Sequence, residues 1–221
     1  AREAVSDPRL GEIRLQWWRE VIEGGRDTEA QANPLSQALL DTIVKFNLPR
    51  SALVNLIEAR RFDLYDDPMP SLNDLEGYCG ETCSALFRLC AIVCAGGRDP
   101  GGGEVAGHAG CAYAMAGLLR ALPWQVARGQ CYLPGDVLSR HGALVEAATA
   151  GLDSPALREA LADLRARIRF HLKAARAGLA QIPEEIRPVF APLAFVEPWL
   201  KAMEKRGYEP FRTLIDPPQW R

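Results

Sequence analysis

A chain of 221 residues with 48% hydrophobic and 24% charged side chains is long and apolar enough for one domain spanning residues 1–221. Its formal net charge of −2 gives no global signal for nucleic-acid binding. No run of about 18 uncharged apolar residues exists, and the nearest candidate, Val105 to Trp124, is interrupted by His108 and Arg120, so no membrane-spanning helix and no signal peptide is predicted.

Helical signals recur from end to end. Ile13, Trp17 and Val21, with Trp18 and Ile22, follow the 3.6-residue period, and Gly24-Gly25 supplies a stop. Asp7 sits in Ser-Asp-Pro-Arg, a turn signal rather than a helical acidic face. Asn33-Pro34 opens a helix to Phe46, and a third spans roughly Arg50 to Tyr65. Ser71 and Asp74 form a capping box for a helix that presents Leu75, Tyr78, Cys79, Thr82, Cys83, Leu86, Cys90, Val93 and Cys94 inward. A small-residue helix runs next, from Gly107 to Ala121, breaks at Pro123 and leads to the turn at Tyr132-Leu133-Pro134. Ser154-Pro155 starts a long helix reaching about Gln181. Pro183, Pro188 and Pro192 segment the remainder, and a last helix runs from about Glu197 to Arg206. The tail from Asp216 to Arg221 reads as extended. The expected class is all-α.

Six cysteines occur, none in a C-x-x-C pair, so neither a zinc ribbon nor a thioredoxin-like motif is supported. Cys79, Cys83, Cys90 and Cys94 fall within an arc of about 60° on a regular helix, and the reading is of reduced, metal-free thiols filling a close helix contact. Such thiols fit a cytoplasmic location. His108, His141 and His171 lack ligand spacing and read as surface or packing residues. Only Lys45, Lys173, Lys201 and Lys205 among the 26 basic residues are lysines, a bias that genome composition and anion binding both produce.

The segment from Gly110 to Pro134 resembles the second signature of squalene and phytoene synthases, approximately L-G-x-A-L-Q-L-T-N-I-L-R-D-V-x-x-D-x-x-R-G-R-x-Y-L-P. Gly110, Ala112, Leu119, Arg120, Arg128, Gly129, Tyr132, Leu133 and Pro134 match in register. Four further segments resemble the family in the same order: Arg60 to Leu64 around Asp63, Leu75 to Ser84 with Tyr78 and Cys79, His171 to Pro183, and Arg206-Gly207-Tyr208. Ile13 to Arg19, with Arg-Leu-Gln-Trp-Trp-Arg, is similar to the branch that contains complex I assembly factor 6, in which the aspartate-rich motifs are degraded. The resemblance implies an isoprenoid-synthase-like helical bundle around a central cavity, walled by the helices around Leu75–Cys94 and Gly107–Arg120. Cys83, Gly110, Ala114 and Gly117 are expected at that cavity or at a tight helix contact.

The resemblance also shows a loss. Ionising an allylic diphosphate releases an anion that magnesium stabilises, and two aspartates at i and i+4 on one helical face hold that metal through hard oxygen ligands. Ala121 and Gln125 stand at those positions. The family's first motif, D-D-x-x-D, is expected at or before Ala1. No metal or other cofactor is expected, magnesium entering only if the alternative of head-to-head prenyl coupling holds. No catalytic residue is assigned. The candidates for ligand or diphosphate binding are Arg120, Arg128, Tyr132, Tyr78, Glu81 and Asp63. For Arg120 and Arg128, pairing with buried acids or capping helix carbonyls stays equally open, and Asp66-Asp67-Pro68 reads as a solvent-facing helix end. The implied function is assembly of a respiratory or membrane-associated complex, or binding of an isoprenoid or other lipid. A protein partner or a membrane surface is expected, at the periphery of the inner membrane if not free in the cytoplasm. For Trp17-Trp18 two readings stand: one indole in the core and the other under a neighbouring loop, or one in an exposed docking patch rimmed by Arg14 and Arg19.

Overall fold

The computed structural model describes residues 7–215. The tail from Asp216 lies outside the described residues, as does any motif before Asp7. No strand occurs among the described residues. The helices are α1 (Pro8–Glu23), α2 (Asp27–Ala32), α3 (Pro34–Lys45), α4 (Arg50–Ala59), α5 (Leu72–Cys79), α6 (Ala85–Cys94), α7 (Gly103–Arg120), α8 (Leu122–Val126), α9 (Gly135–Arg140), α10 (Val145–Thr149), α11 (Pro155–Gly178) and α12 (Val196–Met203). Tight 3-10 turns cover Arg60–Leu64 and Glu184–Phe195, and a π turn, Gly80–Ser84, joins α5 to α6 without a break.

Local chemistry sets the boundaries. Asp7, exposed and extended, caps α1 by accepting from Arg9 N at 2.9 Å, and Gly24 closes that helix in the left-handed region at φ 90°. Asn33, Ser71 and Ser154 accept from the first amides of α3, α5 and α11. The prolines after Pro183 do not cut the chain into pieces; Pro188 and Pro192 are accommodated inside one 3-10 run.

Helix α7 is the axis of the molecule. It packs against α11, the π turn, α6, α5 and α12. Its small residues allow this. A Cβ placed on Gly110 would lie 2.2 Å from Ser84 Oγ and 2.3 Å from Ser84 Cα, a distance no side chain tolerates. Ser84 Oγ donates to Gly107 O at 2.8 Å across the same contact. Gly117, by contrast, has open space around it, and Cys83 and Ala114 pack half-buried against the core. From the other side α11 contributes the buried row Leu157, Leu161, Leu164, Ile168 and Leu172, each worth about 1.5–3 kcal/mol of apolar burial.

The predicted cysteine stripe does not survive. Cys79 is fully buried and Cys83 half-buried, yet Cys90, Cys94 and Leu86 are exposed. The π turn adds one residue to the helix, which rotates everything after it by about 100° relative to a regular 3.6-residue count. Phe87, Leu89, Ala91 and Ile92 therefore take the inward positions. All six cysteines are free, and burial pushes the Cys83 thiol up to about 11. Trp17 and Trp18 are both half-buried, in edge-to-face contact at 5.0 Å, with Trp17 Nε1 donating to Glu29 at 2.9 Å. The exposed apolar side chains on α1 are Leu10 and Ile13 instead, and Arg19 is committed to Glu23 and Glu58.

Gly110→Ala forces α7 and the π turn apart and is expected to lower stability by about 2 kcal/mol or more, whereas Gly117→Ala is neutral or stabilising by up to about 1 kcal/mol. Urea unfolding of the two variants checks this. Equal effects would show that the Ser84 contact does not constrain the fold.

Candidate functional site

The polar centre is built around Asp63, buried in the 3-10 turn after α4. Tyr78 from α5 and Tyr132 from the loop before α9 each donate a phenol O–H to its Oδ1 at 2.7 Å. Arg60 Nη1 donates to Oδ2 at 3.1 Å and to Tyr78 Oη at 2.9 Å. Gln130 Nε2 donates to the backbone carbonyl of Asp63 at 3.1 Å. The rings of Phe62, Tyr78 and Tyr132 pack at 5.6–6.0 Å around this group. Burial, then the negative charge of Asp63, raises both phenol pKa values well above ordinary tyrosine, so both remain donors. Two phenols and a cation thus occupy a carboxylate that a metal cluster would need free.

The second half of a metal site is absent for a different reason. Ala121 forms the C-terminal cap of α7, and Gln125 lies buried in α8. The Gln125 amide turns back and donates from Nε2 to Leu118 O at 2.8 Å, closing the end of α7. Because Leu118 O accepts only, the amide nitrogen must face it, and Oε1 is left buried without a protein partner. Among the described residues no group of three or more His, Cys, Asp or Glu side chains is arranged to hold a metal ion. Among the described residues, the groups at this end of α7 do not fit magnesium.

Between these two features lies an open cleft of about 420 Å³ bordered by Arg60, Tyr78, Trp124, Gln125, Arg128 and Tyr132. Behind Gln125 and Tyr132 the interior narrows to a void of about 10 Å³, enclosed by Leu75, Met115, Leu119 and Leu164 and sized for about one water. The walls expected for a central cavity are in place, but these four side chains fill the space between them. What remains is the cleft at the end of α7, with Trp124 exposed at its mouth.

The sequence candidates therefore divide. Asp63, Tyr78 and Tyr132 form one network, and Arg128 borders the same cleft. Arg120 does not join them: its guanidinium lies 4.6 Å from the Trp199 ring centre and donates to Ile215 O at 3.3 Å. Glu81 is exposed in the π turn and borders a separate groove of about 400 Å³ with Glu58, Phe62 and Met69. Asp66 and Asp67 are exposed, apart from Asp63.

Periodicity missed a second polar cluster, gathered around buried His171. Glu76 on α5 accepts from Arg167 at 2.5 and 3.1 Å and pairs with His171 Nε2 at 3.1 Å; His171 Nδ1 meets His108 Nδ1 at 2.9 Å. His171 is thus neither a surface residue nor simple packing. Its partner is 95 positions away, and no local spacing could reveal it. Burial lowers the His171 pKa against the opposing pull of Glu76; burial raises that of Glu76, but Arg167 and His171 outweigh it and hold Glu76 below the usual range.

A helical bundle of this shape, centred on a small-residue helix and a buried Tyr-Asp-Tyr group, is an isoprenoid-synthase fold. A family profile described as squalene/phytoene synthase matches residues 1–221, and the chain belongs to that family. A rat protein named NADH dehydrogenase (ubiquinone) complex I, assembly factor 6, is 29% identical over 97% of this chain and 64% of its own length. Phytoene synthase from Thermus thermophilus is 27% identical over 81% of this chain and 61% of its own. Among solved structures, squalene synthase HpnC from Alicyclobacillus acidocaldarius superposes with a TM-score of 0.74 at 23% identity, covering 86% of this chain and 74% of that one. The chain thus spans a little under two thirds of the length of the curated relatives it matches.

Two outcomes test this geometry. Tyr132→Phe removes one hydrogen bond to a buried carboxylate and costs about 1.5–3 kcal/mol, and a cycle with Tyr78→Phe is non-additive because both phenols serve one oxygen. Additive losses by urea unfolding would mean that the two donors act separately. His171 has a lowered folded pKa, so its contribution is complete above the unfolded value near 6.5 and declines as pH falls below it. Stability therefore drops on acidification below about pH 6.5, and His171→Gln flattens that slope; an unchanged slope excludes His171 as its source.

Proposed function

We propose that this chain is a synthase-fold protein without ordinary magnesium-dependent prenyl coupling, acting in the assembly of a respiratory complex of the NADH dehydrogenase type. The observation that carries the reading is Gln125: where the coupling reaction needs a carboxylate, an amide is turned inward to cap α7. The Asp63 network supports it, since a carboxylate held by Tyr78, Tyr132 and Arg60 is structural rather than available to a metal. The match to complex I assembly factor 6 across nearly the whole chain supplies the assembly role. No helix among the described residues is long and apolar enough to cross a membrane, so work on a membrane-bound complex would be done from its periphery. In this reading the cleft by Trp124 and Arg128 receives a lipid or protein group rather than turning over a substrate.

The test has two arms. Incubated with magnesium and farnesyl or geranylgeranyl diphosphate, the protein forms no squalene or phytoene above background; product at ordinary enzyme rates, about 1 per second or faster, rejects the reading. In the source organism, deletion lowers assembled complex I and its NADH–quinone activity, and a plasmid copy restores both. Normal complex I after deletion overturns the assembly role.

A further inference from the structure

A second lipid-shaped feature lies away from the cleft. Where the C-terminal end of α11 meets the 3-10 run Glu184–Phe195, an open groove of about 330 Å³ is walled by half-buried Leu179 and by exposed Ala191 and Ala194, above the buried side chains of Phe190 and Leu193. Arg176 and Arg187 border it, both exposed. Most arginines of this protein are committed: Arg19, Arg26, Arg61, Arg88, Arg167 and Arg169 all bind carboxylates. Arg176 and Arg187 bind none among the described residues. A cation in the last turn of α11 offsets the carbonyl end of that helix, which accounts for Arg176 in part. Arg187 has no such role, and it stands on the opposite border of the same apolar groove.

We infer that this groove is a docking surface for an acidic phospholipid at a bilayer surface, its phosphate held by Arg176 and Arg187 and the start of an acyl chain lying over Leu179, Ala191 and Ala194. The chemistry is complementary on both counts. A guanidinium presents a planar pair of N–H donors that matches phosphate oxygens, and an unpaired one gives up no existing ion pair on binding. The apolar floor excludes a free inorganic anion as the best occupant, because it would leave that surface wet. An acidic protein segment would satisfy the arginines but offers no reason for an apolar trough between them. Glu184 precedes Arg187 by one 3-10 turn and carries the opposing charge, which limits affinity and makes the contact reversible.

This inference stands apart from the assembly role, which the deletion experiment decides. Its own test is flotation of the full chain with vesicles of phosphatidylglycerol mixed into phosphatidylcholine, against vesicles of phosphatidylcholine alone. The chain is expected to float with the acidic vesicles, to lose them at high salt, and to be weakened on the order of thirtyfold by R176A/R187A, at about fivefold per arginine. Leu179→Asn weakens binding without altering charge, and Glu184→Gln strengthens it. Circular dichroism confirms that each variant is folded. Equal binding to both vesicle types, or a folded double-arginine variant that floats like wild type, overturns the proposal. So does complete release by inorganic phosphate at matched ionic strength, which would mark a free-anion site.

Discussion

Among the glycines, the one held nearest to another stretch of backbone is Gly110, where α7 meets the π turn at Ser84. Everything polar in the centre is hung from that contact. Because α7 sits so near, the chain between α5 and α6 must accommodate it, and the π turn does so with one extra residue that keeps the helix continuous. Upstream of the turn, Tyr78 is directed to Asp63 and Glu76 to His171. Downstream, Phe87 and Ile92 reach the core. The end of α7 is then fixed relative to Tyr132, and the space between them is small enough for four apolar side chains to fill.

Much of this was legible in the sequence. Capping residues at Asn33, Ser71 and Ser154 marked helix starts because an orphan amide needs an acceptor wherever the helix begins, whatever the tertiary context. The family-like segments Arg60 to Leu64, Leu75 to Ser84 and Gly110 to Pro134 named Asp63, Tyr78, Tyr132 and Arg128, and the fold joins the first three in one network with Arg128 beside the same cleft. The features that stayed hidden have two physical origins. The π turn carries no distinctive residue type, and a count based on 3.6 residues per turn goes out of phase beyond it, which misplaced Leu86, Cys90 and Cys94 and turned Glu81 toward solvent. The Glu76–His171–His108 cluster joins three helices through contacts that only the fold creates. Arg120 holds its place in the signature, but its guanidinium lies over the Trp199 indole and donates to Ile215 O.

Two carboxylates, buried Asp63 and half-buried Glu76, are treated alike. Each lies on or beside α5, each is matched to an arginine, and each receives further donors from side chains distant in sequence. A carboxylate in a low-dielectric interior is stable only under such conditions, since removing it from water without compensation costs several kcal/mol. The molecule has kept its interior charges but engaged them in holding helices together.

The Gln125 contact makes this arrangement difficult to reverse. An aspartate introduced there alone would set a negative charge against the Leu118 carbonyl that now receives an N–H, with Ala121 offering no second ligand and Asp63 still held by its phenols. Each step back toward a metal site is unfavourable until the others have been taken. The end of α7 is therefore coupled to its surroundings: a metal site there would need carboxylates at Ala121 and Gln125 together with release of Asp63 from its two phenols.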